Sequence, residues 1–409
     1  MTPTPQPDSS GVEMTRPRES APDPLAPARL GPVRLRNRVI KAATYEGMSR
    51  RSLVTDDLIE FHRRVAAGGV AMTTVAYCAV APEGRTDRHQ LYWHTDALPG
   101  LRRLTEAVHA EGAAVSAQIG HAGPVADGRS NRLPALSPNR MFSPLSLQFT
   151  RSATADDLDR IVRAHADAAR MALDVGFDAV EIHLGHNYLA SSFLSPRLNR
   201  RRDRYGGSLE NRARFARAIG RAVRAAVGDR IAILAKLNLD DGVRRGLHLH
   251  ESIQVAKWLE EDGSVDALEM TAGSSLLNPM YLFKGPAPLK EFAGALREPV
   301  RTGVRLFGRT RLHSYPYRDG YLLADARQVR AAVDLPMILL GGVTDLAVMN
   351  EAMRSGFEFV AMARALLREP DLVNKLRLDP AATSLCSHCN RCMPTIYSGT
   401  RCVEIPVHA

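Results

Sequence analysis

A chain of 409 residues with 45% hydrophobic content can bury a large core, either as one big α/β barrel or as two domains. The formal charge of +10 comes mostly from Arg scattered along the chain, without the aromatic-interleaved basic run of nucleic-acid binders. No stretch approaches the roughly eighteen consecutive apolar residues of a membrane span, and there is no charged-then-apolar leader. The expectation is a cytoplasmic protein acting on a small molecule, as a monomer or a homo-oligomer. Cys78 and four Cys near the C-terminus fit a reducing compartment better than a disulfide framework.

Residues 1–24 are rich in Pro, Ser and Thr and poor in large apolar side chains, which predicts a disordered tail. Leu30 to Arg38 reads as a short hairpin, and Val39 to Tyr45 as a first buried strand. Thr55 is a good N-cap for a helix carrying Leu58, Phe61 and Val65, stopped by Gly68-Gly69. Strands follow at Gly69–Tyr77 and Ala114–Ile119, with a helix around Leu101, Leu104 and Val108 between them. A long loop, 121–150, precedes a helix capped by Thr154 and a fourth strand at Ala179–Ile182. Strands at Ile231–Leu237, Val265–Met270, Pro336–Leu340 and Phe357–Met362 alternate with further helices, interrupted by an irregular insert over about 274–319. Eight strands alternating with helices favour a (β/α)₈ TIM barrel over an open sheet. No Gly-x-Gly-x-x-Gly follows the first strand, which argues against a Rossmann fold. The domain reading is therefore a tail, a barrel over 25–375 and a Cys-rich extension over 376–409.

Active sites of such barrels lie where the strands end. The strand ends here supply Thr44 and Tyr45, Cys78 and Ala79, Gln118, His183 with His186 and Tyr188, Lys236 with Asn238, Gly341-Gly342, and Ala363-Arg364. Two imidazoles and a phenol can polarise a carbonyl and deliver a proton. The glycines after the seventh strand let backbone N–H groups approach an anion, and Arg364 adds a forked cation suited to phosphate.

The stretch Glu181-Ile-His-Leu-Gly-His-Asn-Tyr-Leu189, followed by Asp203-Arg-Tyr-Gly-Gly-Ser-Leu-Glu-Asn-Arg-Ala-Arg-Phe215, resembles the signature of the Old Yellow Enzyme family of flavin-dependent ene-reductases. The resemblance spans about 25–370 and implies FMN across the barrel mouth, with NAD(P)H as reductant. It implies that His183 and His186 bind the substrate's oxygen and that Tyr188 donates the proton. It further implies Ala42, Ala43, Thr44 and Ala79 beside the ring system, Gln118 on its pyrimidine edge, and Gly342, Ala363 and Arg364 at the phosphate. Lys236 falls where the family usually carries Arg near the flavin N1–C2=O edge. Tyr45 replaces a family Cys or Thr and is expected to shape the substrate site. The expected reaction is reduction of an electron-poor C=C bond. A flavin-dependent dehydrogenase running the other way, a non-catalytic flavin binder, and a His-x-x-His metal hydrolase using Asp240 and Asp241 are the rivals. Tyr281, Phe283, Tyr315 and Tyr317 of the insert either wall the mouth or pack the insert onto the barrel.

Cys386-x-x-Cys389-x-x-Cys392 followed by Cys402 has metal-ligand spacing, and His388 adds a further donor. Cys389-Asn-Arg-Cys392 resembles the iron–sulfur segment of 2,4-dienoyl-CoA reductase and trimethylamine dehydrogenase. A [4Fe–4S] cluster, a structural zinc and a metal-free tail are all open.

Overall fold

In the computed structural model, which describes residues 21–143 and 146–405, eight parallel strands close into a barrel surrounded by helices. The strands are β1 (Val39–Lys41), β2 (Met72–Ala79), β3 (Ala114–Gly120), β4 (Ala179–Leu184), β5 (Ala232–Asn238), β6 (Ala267–Thr271), β7 (Met337–Leu340) and β8 (Phe359–Met362). They run round the ring in sequence, with β8 pairing to β1 and β3 pairing to β4. Helices α1 (Asp56–Ala67), α2 (Leu98–Ala110), α3 (Ala155–Asp174), α4 (Leu209–Val227), α5 (Leu249–Glu261), α6 (Leu323–Arg330), α7 (Leu346–Arg354) and α8 (Leu372–Leu378) flank them. The TIM barrel expected from the alternation is the fold observed. Of the tail expected over 1–24, residues 1–20 lie outside the described residues.

Local chemistry explains the element starts. Thr55 accepts a hydrogen bond from the Leu58 amide and opens α1, with Asp56 and Asp57 on the positive end of the helix dipole. Thr154 and Asp157 form a reciprocal capping box on α3.

The strands bury both faces. Val180, Ile182 and Leu184 point outward to the helices, whereas Ala179 points into the barrel with Ile40, Met72, Ala232, Ala267, Ile338 and Phe359. Leu30 and Leu35, from the antiparallel hairpin Ala28–Leu30/Val33–Leu35, join that inner cluster and plug the end where the strands begin. Polar chemistry is thereby confined to the opposite, C-terminal end.

Two stretches differ from expectation. The first strand stops at Lys41, so Ala42 to Tyr45 forms the rim itself. The insert is not irregular: it contains helices Pro279–Phe283, Leu289–Ala295 and Val300–Arg311. A Cβ on Gly308 would come within 3.1 Å of the Leu289 side chain. The glycine serves close helix packing.

Candidate active site

β3, β4 and β5 bring the central side chains together. His183, next to last in β4, lies opposite Lys236 on β5, and Glu181, two residues earlier, lies opposite Gln118 on β3. After β4 the chain turns through His186 and Asn187, both with positive φ (60° and 58°), which reverses direction tightly and returns the next side chain to the mouth. Asn238 anchors that turn by accepting the His186 amide at 3.1 Å, and His186 Nε2 lies 2.8 Å from Thr271 Oγ1. As a result the His183 ring stands 5.0 Å from His186 and 4.5 Å from Tyr188, with Tyr77 edge-on to Tyr188 at 5.2 Å.

The protonation states follow from burial. Desolvation, aided by Lys236, pushes the His186 imidazole down to about 3; His183 is held well below its ordinary value by burial, then by His186 and Lys236. Both rings are neutral near pH 7 and can donate hydrogen bonds without carrying charge. Burial pushes the Tyr188 phenol upward, with Tyr397 adding to the effect, so it keeps its proton.

Beneath the imidazoles lies a charged layer whose carboxylates, Glu181 and Glu269, do not stand out among the strand-end residues. Lys236 Nζ sits 2.8 Å from Glu181 and 2.9 Å from Glu269, and Gln118 Nε2 donates to Glu181 at 2.6 Å. All four side chains are buried. Burial would lower the ammonium, but the two carboxylates outweigh it and hold it above its usual value. Burial likewise raises Glu269, so one carboxyl of the pair retains a proton and the layer avoids a net charge. Val-Glu-Ile-His and Leu-Glu-Met-Thr each set an acid at an inward position of an apolar strand, a signal that could have identified them.

On the other side of the mouth, the Ala42 amide donates to Met362 O at 2.9 Å, tying the rim of β1 to the end of β8. Ala43, Tyr45 and Ala79 share an apolar cluster with Tyr77 and Tyr188. The Tyr45 hydroxyl donates to Asp87 at 2.8 Å. Gly341 and Gly342 have φ of 100° and 76°, conformations that a side chain would strain, and Gly342 O accepts the Gly320 amide at 2.9 Å. Arg364 follows Ala363 at the end of β8. Its fork is engaged by Phe283 O at 2.7 Å and by Asn390 Oδ1, and it faces the Phe283 and Tyr317 rings. Lys284 Nζ instead lies over both the Tyr281 and Tyr315 rings, which meet each other edge-on.

Two buried polar atoms at the mouth, His183 Nδ1 and Thr44 Oγ1, have no partner within the protein. Leaving such an atom dry costs about 1–3 kcal/mol. Together with the glycine pair and the cation under the imidazoles, they suit a planar polar cofactor such as a flavin.

The four C-terminal cysteines line a common cavity of about 20 Å³ with Arg364. Among the described residues, however, no three His, Cys, Asp or Glu side chains are disposed to hold a metal ion. His388 Nδ1 is 3.8 Å from Cys386 Sγ, and its ring stacks on Tyr317 at 3.5 Å.

Residues 25–276 match the profile of the NADH:flavin oxidoreductase / NADH oxidase family. The chain belongs to this family. Within it, the chain is 53% identical over 386 residues to the 4,4'-dithiodibutanoate disulfide reductase of Rhodococcus erythropolis, covering 94% of this chain and 96% of that protein. It is 28% identical to the multifunctional alkene reductase/demethylase OYE of Caballeronia cordobensis, across 86% of this chain but 48% of that longer protein. Among solved structures, a 2-naphthoyl-CoA reductase complex superposes with a TM-score of 0.80 at 25% identity, over 93% of this chain and 56% of that one. The Old Yellow Enzyme resemblance and the oxidoreductase class read from the sequence are thus upheld. No helix among the described residues is long and apolar enough to cross a membrane.

Proposed function

We propose that this chain is an FMN-dependent NAD(P)H reductase whose acceptor binds against His183, His186 and Tyr188. The observation that carries this reading is the meeting of two neutral imidazoles and a protonated phenol at the mouth of a barrel of this flavin family. Bound FMN would supply two-electron hydride transfer between nicotinamide and acceptor. Thr44, Gln118 and Lys236 would hold the ring system, with Ala42, Ala43 and Ala79 beside it. Gly342, Ala363 and Arg364 would hold the phosphate, which requires Arg364 to turn part of its fork from Asn390.

Extensive identity to a disulfide reductase favours a small organic disulfide bearing carboxylates as acceptor. The balance would be as follows: hydride forms an S–H bond to one sulfur as the S–S bond breaks, the other sulfur leaves as a thiolate, and a proton from Tyr188 or solvent completes the second thiol. The imidazoles, as uncharged donors, would hold the substrate's polar end while the low-dielectric site strengthens each hydrogen bond.

A second reading, the alkene acceptor expected from the sequence, is favoured by the same paired donors. They would draw charge onto a conjugated carbonyl oxygen, leaving the β-carbon open to hydride and the α-carbon to the Tyr188 proton. The test is the visible spectrum of the purified protein, its bleaching by NADH and NADPH, and reoxidation by a panel of carboxylated disulfides and enones. A protein that takes up no FMN, or is bleached by neither nicotinamide, sinks the proposal.

A further inference from the structure

The Cys-rich extension also reaches the mouth of the site. It is pinned on one side to the insert after β6: Asn390 Nδ2 donates to Lys284 O at 2.6 Å and Pro286 O at 3.0 Å, and Arg391 meets Glu291 at 3.1 Å. On the other side it is pinned to the rim after β1, where the Thr400 amide donates to Glu46 O at 2.7 Å and its hydroxyl to Tyr45 O at 2.6 Å. Ile396 O abuts Gly47 where any Cβ would sit, so only glycine admits this contact. β6 and β1 are three places apart on the ring, so the intervening turn Met393–Tyr397 bridges the mouth on the β7–β8 side.

Tyr397 lies within this bridge. It sits between the two rim contacts, Ile396 against Gly47 and Thr400 on Tyr45, with more than half of its surface (54%) exposed. The Tyr45 hydroxyl beside this segment is held by Asp87, and Tyr188 feels the Tyr397 phenol electrostatically.

We propose that Tyr397 is a specificity-determining wall of the acceptor site, carried there by the extension and set against Tyr45 and Tyr188. This rests on the functional reading above. The bridge limits how long an acceptor the mouth admits, and the ring offers an apolar face to its chain; proton transfer stays with Tyr188.

FMN-loaded full-length Tyr397→Ala, Tyr397→Phe and Thr400→Val decide the matter by two readouts. The first is the stopped-flow rate at which ferricyanide reoxidises dithionite-reduced FMN, which needs no knowledge of the natural acceptor. Tyr397→Ala should reoxidise at least about three-fold faster as the mouth opens, Thr400→Val should move the same way, and Tyr397→Phe should match wild type. The second is the KM-against-kcat split on dicarboxylate disulfides of increasing chain length: Tyr397→Ala should raise KM by about ten-fold on short acceptors, less on long ones, with kcat within about two-fold. A wild-type protein that takes up no FMN overturns the functional reading and this wall with it. FMN bound and reduced, with Tyr397→Ala indistinguishable from wild type in both readouts, overturns the wall alone.

Discussion

Tyr188 and Lys236 show how differently two buried polar residues can matter. A proton delivered to carbon needs an acid, whereas a departing thiolate, with a thiol pKa near about 8.5, needs little help. Tyr188→Phe should therefore slow enone reduction by about 10²–10⁴-fold but carboxylated-disulfide reduction by less than about ten-fold, with flavin bleaching by nicotinamide retained. Stopped-flow measurement of both half-reactions checks this, and unaffected rates with both acceptors would remove Tyr188 from its assigned role. Lys236 acts on stability as well. With Lys236→Met, Glu181 and Glu269 face each other without their cation, a loss of about 3–5 kcal/mol in urea unfolding. Adding Glu269→Gln should recover part of it; a double variant no more stable than Lys236→Met would show that the carboxylate pair is not what the lysine relieves. Sequence alone made Lys236 legible as a strand-end cation, but its two acids come from β4 and β6, and only closure of the ring sets them on one ammonium.

At the scale of elements, the turn after β4 depends on a neighbour. Leu189, directly after Tyr188, donates its amide to His121 O at 2.9 Å, and Gly123, at φ 58°, lies against it so closely that a Cβ would stand 2.6 Å from Leu189 Cα. Both the left-handed backbone and the contact exclude a side chain. Gly123→Ala should push the helix Leu189–Leu194 outward, displacing Tyr188, and lower acceptor reduction by about ten-fold or more alongside a fall in Tm. Unchanged kinetics in a folded variant would show that this contact does not position the phenol. Periodicity located all eight strands and the capped helices because burial on both faces leaves a continuous apolar run, and Thr55 and Thr154 mark their helix starts. It missed the insert's helices because Gly303, Gly308 and the prolines dilute the pattern. Iron and zinc analysis of anaerobically purified protein will decide what the cysteine segment carries.

For the whole molecule, the buried imidazoles set the response to acid. Burial pushes His165 down to about 4 and His186 to about 3, with His183 and His62 also well below their ordinary value. An unfolded imidazole titrates near about 6.5. Below that pH the unfolded chain binds protons that the folded one refuses, so stability falls as pH falls, by about 1.4 kcal/mol per pH unit for each imidazole. Glu46, Asp241 and Glu269, raised by burial, and His109, raised by Asp178, oppose this by holding protons when folded, but the imidazoles held down, His388 being a fifth, outnumber them. Urea midpoints should drop between pH 6.5 and 5, and His165→Gln, on α3 away from the mouth, should flatten the decline by about one imidazole's share. A midpoint that holds or rises over this range would contradict the assignment. What the amino-acid order determined by itself was the alternation of strand and helix, hence the barrel, and the strand-end polar set, hence the flavin family, because both are local patterns repeated along the chain. What only the tertiary structure decided was which distant residues share a point: the acids around Lys236, the partners of Arg364 and the return of Thr400 to Tyr45. Those depend on strand register and on how the chain's last residues return to its first strand, over separations at which no local preference acts.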